Sequence, residues 1–348
     1  PPPPPPPPLF NDPPTPDIYT SDVSSAASDV YKRQPMATVE GTMLASYNRG
    51  MKVIRESGGV TTTVSGEAMQ RAPVFVFPSA REARDFGLWL KANFDRIKAV
   101  AESTTSVGKL NEIEQYHAHN MIFTRFDYST GDAAGQNMTS KATFVACEWI
   151  RKEVDSISHY LLSGNFDTEK KTSAVNMLKG RGRRVTAELT IPRDVMIEHL
   201  RISPPQMHYG QGISTMSAFI SNSSNNAAHP ANGLAALYLA TGQDIANIGE
   251  SNQCSTYNKV TREGDYYFSI TFPALILATY GGGTALPTQR ECLEIMDCFG
   301  PGKALKLAEI AAALTVAGEL SLGAASRIDQ KTRKNEWVDA HEKLGRNR

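Results

Sequence analysis

The chain has 348 residues, which at roughly 100–200 residues per domain predicts about two domains and allows a sizeable core. Hydrophobic residues make up 41% and charged residues 21%, and 36 Lys+Arg balance 36 Asp+Glu, so there is no electrostatic case for a nucleic-acid or anionic-membrane partner. Four cysteines over this length exclude a disulfide-stapled scaffold and suit a reducing compartment, and seven histidines without C-x-x-C or H-E-x-x-H spacing give no metal signature.

Residues 1–34 hold 11 of the 21 prolines, followed by a Ser/Asp/Thr-rich stretch. Such a segment buries too little apolar surface to offset its ordering entropy, so it is expected to be disordered, with polyproline II local structure, and outside the fold. Globular text begins at Pro35. Glu40 sits among small and apolar residues in Met36-Ala-Thr-Val-Glu-Gly-Thr-Met-Leu44. A carboxyl group buried in such surroundings holds its proton more readily and can act as a proton donor, while an exposed strand-end Glu fits the same spacing.

Pro73-Val-Phe-Val-Phe-Pro78 alternates like a strand, and Ala83, Phe86, Leu88, Leu90, Phe94, Ile97 and Val100 then recur at mixed three- and four-residue steps. His119 to Tyr128 reads as a second strand, with His117 and His119 as structural residues on one face. A glycine-containing turn and a helix from about Thr139 to Val154 follow. This succession predicts a small α+β unit from Pro73 to Leu162. In its turn, Gly131-Asp-Ala-Ala-Gly-Gln-Asn-Met138, small residues let backbone amides approach a ligand, and the helix N-terminus suits a phosphate. It is not G-x-G-x-x-G, and an ordinary turn fits as well.

Asn165-Phe-Asp-Thr-Glu-Lys-Lys171 sets Asp167, Glu169, Lys170 and Lys171 beside a turn. A lysine there can stabilise a developing oxyanion; a solvated charged loop is the plainer alternative. Lys179-Gly-Arg-Gly-Arg-Arg184 could bind phosphate but lacks the aromatic interleaving of an RNA site. Strands are predicted at Arg184 to Ile191 and Tyr266 to Thr279, and helices at Gly233 to Gly242 and Lys303 to Gly323. Ala304 to Ala325 is the most apolar stretch, yet Lys306, Glu309 and Glu319 would each cost ~2.5–3.5 kcal/mol at a bilayer centre. It is therefore expected to be a buried core helix and not a membrane span. Without a charged-then-apolar leader, the expected location is cytoplasmic. Residues 327–348, with seven Lys/Arg against four Asp/Glu, read as a mobile surface tail carrying His341.

Together these segments resemble the hydroxymethylglutaryl-CoA reductase family. The resemblance rests on Pro35-Met-Ala-Thr-Val-Glu-Gly41, Gly131 to Met138, Ser163-Gly-Asn-Phe-Asp-Thr-Glu-Lys-Lys171 with Gly180-Arg-Gly182, Ala228-His-Pro-Ala-Asn232 with Gly242-Gln-Asp244, Gly281-Gly-Gly-Thr284, Gly318-Glu-Leu-Ser-Leu322 and Ala340-His341. It implies an α+β fold: a large CoA-thioester-binding domain (35–72 and 163–326), an inserted ferredoxin-like NAD(P)-binding domain (73–162) and a C-terminal flap (327–348). It also implies a homodimer or higher homo-oligomer with a shared site. The implied reaction takes hydroxymethylglutaryl-CoA to mevalonate and CoA with two NAD(P)H, NADPH first and NADH possible, and no metal. Glu40, Lys170, Asp244 and His341 would be catalytic. Thr105, Ser106, Asp132, Ala134, Gly135, Gln136, Asn137, Gly282 and Gly283 would contact the cofactor. Arg71, Ser163, Asn165, Glu169, Lys171, His229 and Asn232 would contact the substrate.

Three departures qualify the resemblance. The proline-rich head replaces the family's upstream stretch, and the chain ends seven residues after His341, which implies a shortened product. Residues 206–226 lack the lysine that eukaryotic-type members place near the substrate carboxylate. Ser106 stands where an arginine commonly meets the cofactor's 2′-phosphate, with Lys109 as a possible substitute. The rival expectations are the NAD-dependent degradative direction and a non-catalytic remnant that binds CoA or dinucleotide.

Overall fold

The computed structural model describes residues 17–21, 31–326, 335, 336, 338, 339 and 342. Strand β1 (Asp17–Ser21) pairs antiparallel with β2 (Tyr31–Arg33) and runs parallel to the start of β3 (Val60–Arg71), Thr20 facing Val60. This corrects the expectation that nothing before residue 35 joins the fold. An added edge strand is held by backbone ladder bonds, which need no apolar pattern. Helix α1 (Gly41–Glu56) is also absent from the sequence expectations, because Gly41, Ser46, Asn48 and Gly50 weaken its signal. Its Tyr47, Gly50, Met51 and Ile54 nevertheless form one buried stripe.

The small unit comprises β4 (Val74–Val76), α2 (Ala80–Ala92), α3 (Phe94–Glu102), β5 (Lys109–Ala118), β6 (Met121–Ser129), α4 (Gln136–Glu153) and β7 (His159–Leu161). Its strands lie in the order β7-β4-β6-β5, every neighbour antiparallel, which is the β-α-β-β-α-β ferredoxin-like arrangement. Ser79 caps α2 by accepting the Glu82 N–H. The expected run of helix from Ala83 to Val100 is divided at Asn93, whose side chain donates to the Trp89 carbonyl and closes α2 before α3 begins. His119 sits in the β5–β6 turn with φ 57°, so it shares no strand face with His117. Phe75, Phe77, Phe86, Leu90, Ile97, Phe126 and Ile150 lead a core whose members all fall between Phe75 and Leu162.

The larger unit adds α5 (Ala174–Lys179), β8 (Gly182–Ile191), α6 (Arg193–Val195) widening into a π turn at Met196–Leu200, α7 (Pro204–Ile220), α8 (Pro230–Thr241), α9 (Ile248–Ser251), β9 (Ser255–Val260), β10 (Tyr266–Leu275), α10 (Pro287–Ile295) and α11 (Ala304–Ala325). The antiparallel order β3-β8-β10-β9 forms its sheet. Among the described residues α11 is the one helix long and apolar enough to cross a membrane, and its Leu307, Ile310, Leu314, Val316 and Leu320 lie in the large core. It packs closely on α1: a Cβ added at Gly50 would lie 1.9 Å from the Ala317 carbonyl oxygen. Strand β3 serves both units. Thr61 to Ala68 pair with β8, the register slips between Val64 and Gly66, and Met69 to Arg71 pair with β6.

Candidate active site

Between β7 and α5 the chain passes through a loop at 163–173 in which Asn165 (φ 63°), Thr168 (φ 50°) and Lys170 (φ 60°) all adopt left-handed backbone. Lys170 Nζ lies 2.9 Å from Asp244 Oδ2, and both side chains remain about half exposed. Asp244 accepts the Ala246 N–H through Oδ1 at 3.0 Å, capping the short 3₁₀ turn Ile245–Asn247. One oxygen is thus anchored to backbone while the other faces the lysine. The two residues are brought together at an open surface where a substrate oxygen could reach the ammonium.

Behind the loop lies a denser layer. Arg71, at the end of β3, is buried; its Nη1 is 3.0 Å from Asp167 Oδ2 and 2.8 Å from Glu169 Oε2, and its Nη2 donates to the Gln136 carbonyl at 3.4 Å. Gln136 Nε2 donates to Glu169 Oε1 at 3.3 Å and Asn247 Oδ1 at 2.8 Å. Arg71 and Glu169, expected at the substrate, are instead engaged with each other, because a buried guanidinium left without a carboxylate is strongly destabilising. Ser163 Oγ reaches Asp167 at 3.4 Å, and Lys171 Nζ donates to Asn165 Oδ1 at 3.1 Å, so these three positions face the outer side of the loop. Asn247 and Glu250 were given no role by the sequence, since polar residues in a short helical segment carry no local signal of burial.

Glu40 precedes α1 with extended backbone and is exposed, which removes the buried-carboxyl alternative. The physical reason is that α1 turns its apolar stripe inward only from Met43 onward. Among the described residues no hydrogen bond or ion pair joins Glu40 to Lys170 or Asp244. Its charge acts on His229, which is buried at the start of α8: burial pushes the imidazole below its ordinary pKa, against the opposing pull of Glu40. The N–H groups of Ala228 and His229 donate to the Glu319 carboxylate at 3.0 and 2.5 Å, and Tyr47 meets the His229 ring edge-on. Burial pushes Glu319 up to about 7, against those two bonds. A cleft of about 250 Å³ opens beside it, lined by Gln211, Ser214, Asn226, Ala228 and Leu322. Asn232, in the first turn of α8, is exposed. His341 lies outside the described residues; Glu336 is held by Arg49 at 2.7 Å and Arg201 at 3.1 Å.

The residues expected at the cofactor divide into two groups. Helix α4 begins at Gly135 (φ 92°) with no side-chain cap and no acidic residue in its first turn, so its leading N–H groups at Gln136 and Asn137 are not covered by the chain's own carboxylates. Thr105 packs against this turn, its Oγ1 3.0 Å from Met138 Sδ, and Ser106 is exposed next to it. Ala134 lies in the same turn, and Gly282 (φ 59°) is exposed on a separate loop. Asp132 does not face this site. Its carboxylate accepts the N–H groups of Gly302, Lys303 and Ala304 at 2.7, 3.0 and 3.1 Å and caps α11. Burial raises its pKa, and these bonds more than offset that, so it stays below the usual carboxylate range. Gly283 is engaged in packing: a Cβ on Gly242 would lie 2.3 Å from its carbonyl oxygen.

Two members of the arginine cluster, Arg181 and Arg183, are internal, and Arg184 is half-buried with its guanidinium on backbone carbonyls, which counts against the phosphate reading. Arg181 is fully buried against Glu250, Arg183 donates to the Gly131, Ala133 and Leu277 carbonyls, and Arg184 donates to Met177 and Leu178 at 2.9 Å. Lys109, the possible substitute beside Ser106, is paired with Glu102 at 3.1 Å.

The sequence profile of the hydroxymethylglutaryl-coenzyme A reductase family matches residues 30–346. The chain belongs to this family. A 3-hydroxy-3-methylglutaryl-coenzyme A reductase from Pyrococcus abyssi is 41% identical over 322 residues, covering 90% of this chain and 77% of that protein. Its counterpart in Methanocaldococcus jannaschii is 40% identical over 318 residues, with 90% and 77% coverage. The fold is similar to that of the class II reductase from Streptococcus pneumoniae determined with NADPH in open conformations, with a TM-score of 0.71 at 16% identity over 89% of this chain and 83% of that one. The reductase-family match starts at residue 30 and so takes in β2. Within this member of the family, Glu319 is the missed residue that had a signal: it is a carboxylate in the middle of an apolar helix, a placement that requires a partner.

Proposed function

We propose that the protein reduces 3-hydroxy-3-methylglutaryl-CoA to mevalonate and CoA, consuming two NADPH and two protons. The observation that carries the residue-level reading is the Lys170–Asp244 pair, 2.9 Å apart and open to solvent on one side. The start of α4 fits the dinucleotide: Gly135 presents no side chain, no acid occupies the first turn, and Gln136 and Asn137 offer N–H groups to a phosphate. Thr105, Ser106 and Gly282 would complete the contact. In this reading the small unit holds the cofactor and the large unit holds the substrate. A bound nicotinamide supplies hydride.

The chain's own residues supply the rest. Lys170 Nζ stabilises the charge that develops on the thioester oxygen, and later on the aldehyde oxygen. Asp244 holds the ammonium in line and leaves it a donor for substrate. Collapse of the hemithioacetal breaks the C–S bond, and His341 delivers a proton to the departing thiolate. Glu40 is the proposed relay for the proton that reaches the aldehyde oxygen in the second reduction, an exposed side chain able to take that proton from solvent. His229 and Asn232, at the start of α8, would receive the substrate beside Glu40.

A homodimer is part of the proposal. Tyr209, Ile213, Met216 and Ile220 form an exposed apolar row on one face of α7, a pattern that suits burial against a second copy. The pairing of Lys109 with Glu102 favours only a modest preference for NADPH over NADH, and to that extent keeps the NAD-dependent direction in play. Loss of NADPH absorbance that depends on hydroxymethylglutaryl-CoA tests the reading. A folded, dimeric protein that turns over neither with NADPH nor, in the degradative direction, with NAD would leave only the non-catalytic alternative.

A further inference from the structure

Lys170 depends on its surroundings for its backbone conformation. The left-handed φ values of Asn165, Thr168 and Lys170 are unfavourable for residues with a Cβ, most of all for β-branched Thr168, and they persist only where the neighbourhood over-determines them. That neighbourhood is a buried layer to which the proposed chemistry gives no task. Glu250 lies on α9 next to Gly249, directly beneath the lysine's peptide. Its carboxylate meets the Arg181 guanidinium at 2.5 Å, with both side chains fully buried. Arg181 Nη2 also lies 3.8 Å from Glu169 Oε2, the residue before the lysine. Gly249 leaves room for the lysine's peptide, since a Cβ there would lie 2.6 Å from the Lys170 carbonyl oxygen. Gln253 closes the far end of the loop, accepting the Ser173 N–H at 3.3 Å and donating to its carbonyl at 2.8 Å. Gly249, Glu250 and Gln253 all follow Asp244 within ten residues, and Arg181, just before β8, is the one contribution from elsewhere in the chain.

We propose that Glu250 and Arg181 are positioning residues: with the bare Cα of Gly249 they form a seat that holds Lys170 left-handed and so sets its Nζ against Asp244. The inference rests on the role given to Lys170 above. Both side chains are fully buried behind the loop, out of a substrate's reach. A dry ion pair gains little stability over well-packed apolar residues, so stability alone does not account for a charged pair behind this loop.

The test measures kcat and KM for both substrates in wild type, Gly249→Ala, Glu250→Gln and Lys170→Ala, and in the two double variants with Lys170→Ala, with folding checked by circular dichroism. Gly249→Ala removes no charge and carries the test alone if Glu250→Gln does not fold. The expected result is a loss of at least tenfold in kcat for each single variant, with KM for NADPH within twofold. In the Lys170→Ala background the same changes lower the residual rate by less than twofold, because the group they position is gone. Wild-type kcat in both single variants, or an equal loss in both backgrounds, overturns the proposal. If Lys170→Ala falls below detection the split decides, and raised KM with intact kcat overturns it. Lys170→Ala retaining more than a tenth of turnover overturns the lysine's own role instead.

Discussion

Glu319 should make the stability of the protein fall as pH rises through neutrality. Burial raises its carboxyl from 4.5 to about 7 in the folded chain, while in the unfolded chain it returns to its ordinary value. Between those two values the native state binds more protons than the unfolded state. The stabilising contribution is therefore complete below pH 4.5 and disappears above about 7. At 1.36 kcal/mol per unit, a shift from 4.5 to about 7 corresponds to about 3 kcal/mol in full, most of which is lost between pH 5 and pH 8. Glu319→Gln keeps the shape and removes the titration. Calorimetric midpoints of both proteins across that range should therefore diverge: wild type loses about 5 °C more than the variant, at roughly 2 °C per kcal/mol. Parallel curves would refute the reasoning, and would mean that the two N–H bonds from Ala228 and His229 hold the group ionised in spite of its burial.

Lys170→Ala should cut turnover at least a hundredfold, about 2.7 kcal/mol of barrier, with dinucleotide binding retained by fluorescence titration. Asp244→Asn should lower kcat while shifting the unfolding midpoint little, because Asn caps a helical turn nearly as well as Asp and the loss of about 1 kcal/mol that follows removal of a cap is avoided. Asp132→Ala should destabilise by about 1–2 kcal/mol through the lost cap on α11, without a matching rise in KM for NADPH. Because Asp132 is held below its usual 3.8, that deficit should narrow in strong acid, where wild type is protonated too. Glu102→Gln frees Lys109 while keeping an acceptor for the Leu110 N–H, so the ratio of kcat/KM for NADPH over NADH should rise by up to tenfold, about 1.4 kcal/mol. His341→Gln should slow reduction of the thioester and spare free mevaldehyde, which releases no thiolate; equal losses on both would exclude it as the thiolate's acid.

Elements that bury one face through a local repeat were legible in the sequence. The alternating Phe75 and Phe77, the α4 helix with Ala142, Ala146 and Ile150 inward, and the apolar run of α11 each carry their signal within a few residues. Helix α1 was hidden because its buried stripe includes Gly50, a position chosen for close approach to Ala317 rather than for hydrophobicity. Strand β5 was hidden because it is exposed over much of its length and reads as polar. Lys170 and Asp244 were named from motif segments far apart in the chain, and no spacing rule places them within 2.9 Å of each other. Arg71, Asp132 and Arg183 show the limit most clearly. The sequence reading gave Arg71 to the substrate, Asp132 to the cofactor and Arg183 to a possible phosphate site, but each is committed to a partner that only the tertiary fold supplies.

The chain crosses between its two cores twice, once along β3 and once through the 163–173 loop. Arg71 bolts the crossings together: it ends the first, grips Asp167 and Glu169 in the second, and donates to the carbonyl of Gln136 at the start of α4. Rotation of one core against the other must therefore twist a paired strand about its slip near Gly66, an elastic deformation with a restoring force and not the swing of a free hinge. One guanidinium thereby fixes the start of α4 and the 163–173 loop relative to each other, so neither can shift without straining its contact with the same side chain.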